Sequence, residues 1–280
     1  MSRASSLTAM AVALALAGCS SGAILSGPDG EETASATSPA NLASLSEVVQ
    51  RNPNDPQAYN MRGSVYGQAG QHAQALADFN KAISLDPKYA QAYANRGLIY
   101  RQTNKLDLAL ADYNRALAID ANYAAAYLGR GVVNRQRGQL LLALNDFNKA
   151  IAIRPDNAQA YYNRGLLYQG QGQHQFAIDD FSTAIALMPQ QAEPFIARGL
   201  SYLAINDAKA AAADLDEAVQ VEPQNLHAWM SRGLAYERLG NKEKAAGSYA
   251  KALSIQRDHP AAQQGFTRVG GQYGKTYQTF

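Results

Sequence analysis

The chain has 280 residues, 25 of them basic and 23 acidic, with a formal net charge of +2 and one cysteine. Balanced charge with no basic stripe and no acidic tail argues against nucleic acid or another polyanion as a partner. A single cysteine excludes a disulfide framework and a cysteine-built metal site.

Residues 1–18 stand apart from the fold. Arg3 and the amino terminus give a positive start, and Leu7 to Ala17 form an apolar stretch interrupted only by Thr8. That stretch is too short to cross a bilayer and has the length of a signal-peptide core. It ends in Leu16-Ala17-Gly18-Cys19, which resembles a bacterial lipobox. The resemblance implies that Cys19 is lipidated and becomes the new N-terminus. The alternative is an ordinary signal peptide with a chance cysteine, and the absence of any other thiol weighs against it. Several acyl chains, each contributing about 0.8 kcal/mol per buried methylene, suffice for stable attachment. By resemblance to Gram-negative lipoproteins, Ser20 after the cysteine favours the outer membrane, facing the periplasm. Residues 19–40 then read as a lipidated tether, rich in Gly, Ser, Thr, Pro and acidic residues. A random coil of this length has an end-to-end distance of roughly 25 Å.

From residue 59 to residue 236 one phrase returns six times, each 34 residues after the last, with no insertion. It begins as Tyr59-x-x-Arg62-Gly63-x-x-Tyr66 and ends as Trp229-x-x-Arg232-Gly233-x-x-Tyr236. Such a period means a stacked array in which each unit buries its apolar face on its neighbours. With Pro56 as position 1, position 8 is always glycine: Gly63, Gly97, Gly131, Gly165, Gly199 and Gly233. Positions 20 and 27 are always alanine, and position 24 is Phe79, Tyr113, Phe147, Phe181, Leu215 or Tyr249. Positions 4, 8 and 11 mark one face of a first helix, and 20, 24 and 27 one face of a second. Glycine at 8 against alanine at 20 would let the two backbones approach closely. Gly70, Gly138, Gly172 and Gly240, with Asn104 and Asn206, share position 15 and are suited to left-handed C-caps. Proline at position 32 in four units stops the second helix.

This pattern resembles the tetratricopeptide repeat across residues 56–259. The resemblance implies an all-α fold: an α-solenoid of antiparallel helix pairs, six units plus capping helices, in a right-handed superhelix. The units are 56–89, 90–123, 124–157, 158–191, 192–225 and 226–259. Residues 41–55 read as an N-terminal capping helix, 260–268 as a C-terminal one, and 269–280 as a mobile tail.

One departure from the commonest repeat is systematic. Position 7, usually leucine, is Arg62, Arg96, Arg130, Arg164, Arg198 and Arg232, and position 23 is Asp78, Asp112, Asp146, Asp180 and Asp214, then Ser248. Their joint recurrence suggests a structural ladder of charge-assisted hydrogen bonds. The pairs fall either within a unit or between units, and either scheme leaves one arginine without its aspartate. The functional alternative places these arginines in the groove, facing an acidic ligand.

Nothing resembles a catalytic constellation, a metal site or a cofactor site. His72 and His174 are three repeats apart and read as exposed turn residues, and no glycine-rich phosphate loop follows a strand. In the family, first helices line a concave groove. At groove positions 5 and 12 this chain carries Tyr162, Ile196, Met230 and Leu203, with Arg101 and Arg135 adjacent in the middle. These six are the candidate peptide-groove residues, suited to a peptide with an apolar stripe and one acidic group. The leucines at position 9 read more readily as packing between helices. The family's carboxylate clamp needs Lys and Asn at groove positions; Lys is absent there, so that function is not carried over. Tyr273, Tyr277 and Phe280 in the tail offer a way to fill the groove in the same molecule or in a homodimer.

The chain thus reads as a non-enzymatic, lipid-anchored scaffold for protein partners, similar to NlpI-type adaptors for envelope proteases or peptidoglycan hydrolases. The alternative is an assembly lipoprotein of the pilotin or Tad type, serving pili or secretion. A sugar-binding protein or enzyme is the third class and has no residues to support it.

Overall fold

The structure, a computed structural model, describes residues 37–277. Cys19 and the rest of residues 1–36, as well as Phe280, lie outside the described residues. Fourteen α-helices and no strand are present among the described residues. They are α1 (Pro39–Arg51), then the pairs α2 (Pro56–Gln68) and α3 (His72–Leu85), α4 (Ala90–Gln102) and α5 (Leu106–Ile119), α6 (Ala124–Gln136) and α7 (Leu140–Ile153). The series continues with α8 (Ala158–Gly170) and α9 (His174–Leu187), α10 (Ala192–Ala204) and α11 (Ala208–Val221), α12 (Leu226–Arg238) and α13 (Lys242–Ile255), and closes with α14 (Pro260–Arg268). No helix among the described residues is long and apolar enough to cross a membrane.

The turn between paired helices is set by position 15. Gly70, Gly138, Gly172 and Gly240 have φ of 72–74°, and Asn104 and Asn206 adopt 57° and 64°. This left-handed step lets the next amide turn back to a carbonyl in the last helical turn, as in Gln71 N–H to Tyr66 O at 2.8 Å and Lys105 N–H to Tyr100 O at 2.7 Å. Asparagine replaces glycine because its short polar side chain tolerates that region best among the other residues.

Alanine at positions 20 and 27 is fully buried in every unit, and the ring or leucine at 24 stands between them. The glycine at position 8 faces that side chain. A Cβ at Gly165 would lie 2.6 Å from Phe181 Cε1, and one at Gly199 would lie 2.9 Å from Leu215 Cγ. The tightest approach at position 8 is therefore made to the larger side chain at 24, and the expected approach to the alanine at 20 is seen at Gly97, where a Cβ would lie 3.3 Å from the Ala109 carbonyl oxygen.

Each second helix packs on the first helix of the next unit. Successive first helices also touch one another, whereas successive second helices make no comparable contact. The array therefore bends with its first helices inward, and they line the concave face. At the C-terminal end the described part of the tail does not stand free. Tyr273 and Tyr277 lie 5.0 and 5.9 Å from Phe266 of α14, ring centre to ring centre, and the Gln272 amide donates to the Tyr277 hydroxyl at 2.7 Å. These rings cover the last helix instead of filling the groove.

Candidate functional site: a concave basin with two unpaired arginines

The position-7 arginines are structural members of the array. Arg62, Arg96, Arg130, Arg164 and Arg198 each bind the aspartate of their own unit, Asp78, Asp112, Asp146, Asp180 and Asp214, through two nitrogens, with closest distances of 2.7 Å. The aspartates are buried and the arginines partly buried. The third nitrogen reaches back to position 25 of the preceding unit: Ser46, Asn80, Asn114, Asn148 and Ser182. Aromatic rings at positions 4 and 11 flank many of these guanidinium groups, as Tyr93 and Tyr100 do for Arg96 at 5.6 and 5.8 Å. Arg232 is the exception. Its own unit offers only Ser248, so it binds Asp216 of the unit before.

With those arginines occupied, the concave face of the first four units holds a basin of about 990 Å³ that reaches Glu193 in the fifth. Its floor comes from α4, α6 and α8, through Leu98, Leu128 and Leu166 among others. Two arginines at position 12, Arg101 and Arg135, project into it from adjacent units. Neither takes part in an ion pair among the described residues, and the Nε of each lacks a hydrogen-bond partner in the protein. Burial pulls the Arg135 guanidinium below its ordinary value, and the neighbouring Arg101 charge adds to the effect.

Tyr113 stands beside Arg101. Its ring is buried at position 24, and burial raises its phenol to about 12, opposed by the nearby Arg101 charge. The ring extends into the next unit against Gly129, where a Cβ would collide with it. The same arrangement returns in the last unit, where Tyr249 donates to Glu237 at 2.9 Å and abuts Gly265. Where position 24 is Phe or Leu, the facing residue is Asn95, Asn163, Ala197 or Ser231.

Beyond Arg135 the wall changes sign. Tyr162 follows, its phenol raised to about 12 by burial, with Glu193 raising it further and Arg135 opposing. Glu193 is next, its carboxyl held above the usual range by burial and by Glu222. Side-chain amides tie successive first helices together: Asn95 donates to Asn60 Oδ1 at 2.9 Å, and Gln169 donates to the Ala197 carbonyl at 2.8 Å.

Of the candidate groove residues, Tyr162, Arg101 and Arg135 therefore come together, and the rest do not join them. Ile196 and Leu203 are 9% and 4% exposed and belong to the core of the C-terminal units. Met230 packs against the same core. The reason is the close packing of α10 on α12, which covers position 5 where the sequence pattern suggested a free patch. His72 and His174 are half-buried, not exposed, and each has a sheltered Nδ1. No cluster that could hold a metal ion occurs among the described residues.

Tetratricopeptide repeat models match residues 45–77, 158–191 and 196–262, and a TPR repeat model matches 63–102, 97–138 and 133–172. No curated protein matches the chain by sequence. Among solved structures, the chain is similar to the Cut9–Hcn1 assembly of the APC/C (TM-score 0.74, 19% identity), covering 85% of this chain and 47% of that one, so it spans about half of that longer protein. It is similar to Pseudomonas aeruginosa PilF (TM-score 0.69, 20% identity), covering 76% of this chain and 97% of that one. It is also similar to YrrB, a TPR protein with an unusual peptide-binding site (TM-score 0.56, 27% identity), covering 66% of this chain and 96% of that one. Repeat spacing, helix pairing and these matches agree: the chain belongs to the tetratricopeptide repeat family.

Proposed function

We propose that this chain is a lipid-anchored scaffold of the bacterial envelope that holds a protein partner in its concave basin. The observation that carries the reading is the contrast between framework and basin. The position-7 arginines are all satisfied within the array, whereas Arg101 and Arg135 project unpaired into a concavity large enough for a peptide. YrrB, which has a peptide-binding site on a related array, supports the same use of the fold. Attachment through Cys19 rests on the Leu16-Ala17-Gly18-Cys19 run alone. The outer membrane, the periplasm and an adaptor role for proteases or peptidoglycan hydrolases are part of the proposal.

The assembly-lipoprotein alternative keeps the same surface and changes the partner. A photo-crosslinking residue at Ala125 or Gln136, both exposed in the basin, separates the two when captured partners are identified by mass spectrometry from intact cells. Hydrolases or proteases support the adaptor, and pilus subunits or a secretin support the alternative. Capture from the outer face alone rejects the basin.

A further inference from the structure

Resting on the scaffold reading, we infer that the basin is a polarised site for a peptide bearing a carboxylate and, further along, a cationic side chain, so that it accepts its ligand in one direction. The wall runs Arg101, Arg135, Tyr162, Glu193 from the second unit to the fifth. Two like charges stand together at one end, with a carboxylate at the other and a phenol between them.

Each element of that wall lacks its complement. Among the described residues ten arginines form ion pairs, and neither Arg101 nor Arg135 is one of them, although both line the basin. Arg101 stands near the Tyr113 phenol, which carries no charge at neutral pH and cannot replace a carboxylate. A partly buried pair of like charges is a cost to the empty protein, and a ligand carboxylate accepting from both would remove it with charge-assisted hydrogen bonds. Gln102, with an unpartnered Oε1, lines the same end and offers a further acceptor for a peptide amide. At the other end Glu193 is partly buried, has Glu222 nearby and is in no ion pair among the described residues. Its natural complement is a lysine or arginine side chain. A ligand placed in reverse would set its cation against Arg101 and Arg135 and its carboxylate against Glu193. Like-charge contact of that kind is how a binding surface rejects a wrong partner.

The test uses 12-residue peptides with a neutral dye on a background of Ala, Gln and Leu. One Glu and one Lys are walked through every pair of positions. Each peptide is made with a free and with an amidated C-terminus, which separates a side-chain carboxylate from a chain-terminal one. Binding to the folded chain is read by fluorescence polarisation. One order of Glu and Lys should bind best, and the reversed order about tenfold or more weaker. R101Q and R135Q should each weaken the favoured peptide about tenfold or more, while E193Q should erase only the preference for Lys. Thermal unfolding of each variant checks the fold, and R135Q should melt at or above the wild-type temperature, because it removes an unpaired charge. Peptides that bind regardless of Glu, or as tightly to R101Q and R135Q, would overturn the polarised site and leave the scaffold reading intact. Failure of every peptide to bind, with a natural partner still captured at Ala125, would also overturn it. Failure of both would remove the basin itself.

Discussion

Arg232 takes its carboxylate from Asp216 at 2.6 Å, one unit back, whereas every earlier position-7 arginine takes it from its own unit. The swap is compensated. Position 23 of the last unit is Ser248, which accepts from Arg232 at 2.8 Å, and position 25 of the unit before is aspartate where every earlier unit has Asn or Ser. Arg232 is only 2% exposed, the most buried of the ladder, and the Tyr236 hydroxyl also donates to Asp216.

This arrangement predicts a reciprocal rescue. Asp216→Asn alone leaves a buried guanidinium without a carboxylate and should cost about 2–4 kcal/mol, below the full buried-pair figure because Asp216 is itself part-exposed. Adding Ser248→Asp recreates the arrangement around Arg96 and should restore most of the loss. Urea unfolding of the two single variants and the double variant measures the coupling; strict additivity would show that the ladder is not a unit.

The glycines at position 8 predict a second contrast. Gly165→Ala places a methyl 2.6 Å from a fully buried ring and should destabilise by about 1–3 kcal/mol. Gly170→Ala, in the same helix with nothing within 4 Å, should be neutral or stabilising by up to about 1 kcal/mol. Equal unfolding midpoints for the two would remove the steric account of position 8.

Glu193 predicts a pH dependence. Its folded carboxyl is raised, mainly by burial and further by Glu222, so the favourable contribution is present below the ordinary value of 4.5 and is lost as pH rises through the folded value. E193Q should therefore exceed the wild type in melting temperature at neutral pH, with the advantage vanishing below about pH 4. A constant difference across that window would contradict burial as the cause.

Cys19→Ser should abolish membrane attachment and leave unprocessed precursor. Radiolabelled palmitate incorporated equally into wild type and variant would reject the anchor.

Much of the fold was legible because its determinants are local and repeated. The period of 34, the alanines at 20 and 27 and the left-handed position 15 all depend on which residue stands at a fixed place. Asn104 and Asn206 could be read as caps because asparagine tolerates the conformation that glycine supplies elsewhere. The ladder was half legible. The aspartates stood out, but the partners Asn80, Asn114 and Asn148 look like ordinary solvated helix residues, and only Asp216 breaking that series hinted at them. In the basin, Arg101, Arg135 and Tyr162 were found from their positions. Ile196 and Leu203 were misplaced because their burial depends on how closely α10 approaches α12, which no single position reveals. The match of Tyr113 with Gly129 and of Tyr249 with Gly265 lies in the sequence, but reads as a rule only once the ring is seen crossing into the next unit.

The central claim, that the basin is where the partner binds, is tested most directly by blocking it. Ala125 is exposed on α6 within the basin, and Lys149 is exposed on α7, a second helix. Affinity for the captured partner should fall tenfold or more, about 1.4 kcal/mol, in Ala125→Trp and stay unchanged in Lys149→Trp, with both variants retaining wild-type helicity. Unchanged affinity in Ala125→Trp, or loss confined to Lys149→Trp, would contradict the account.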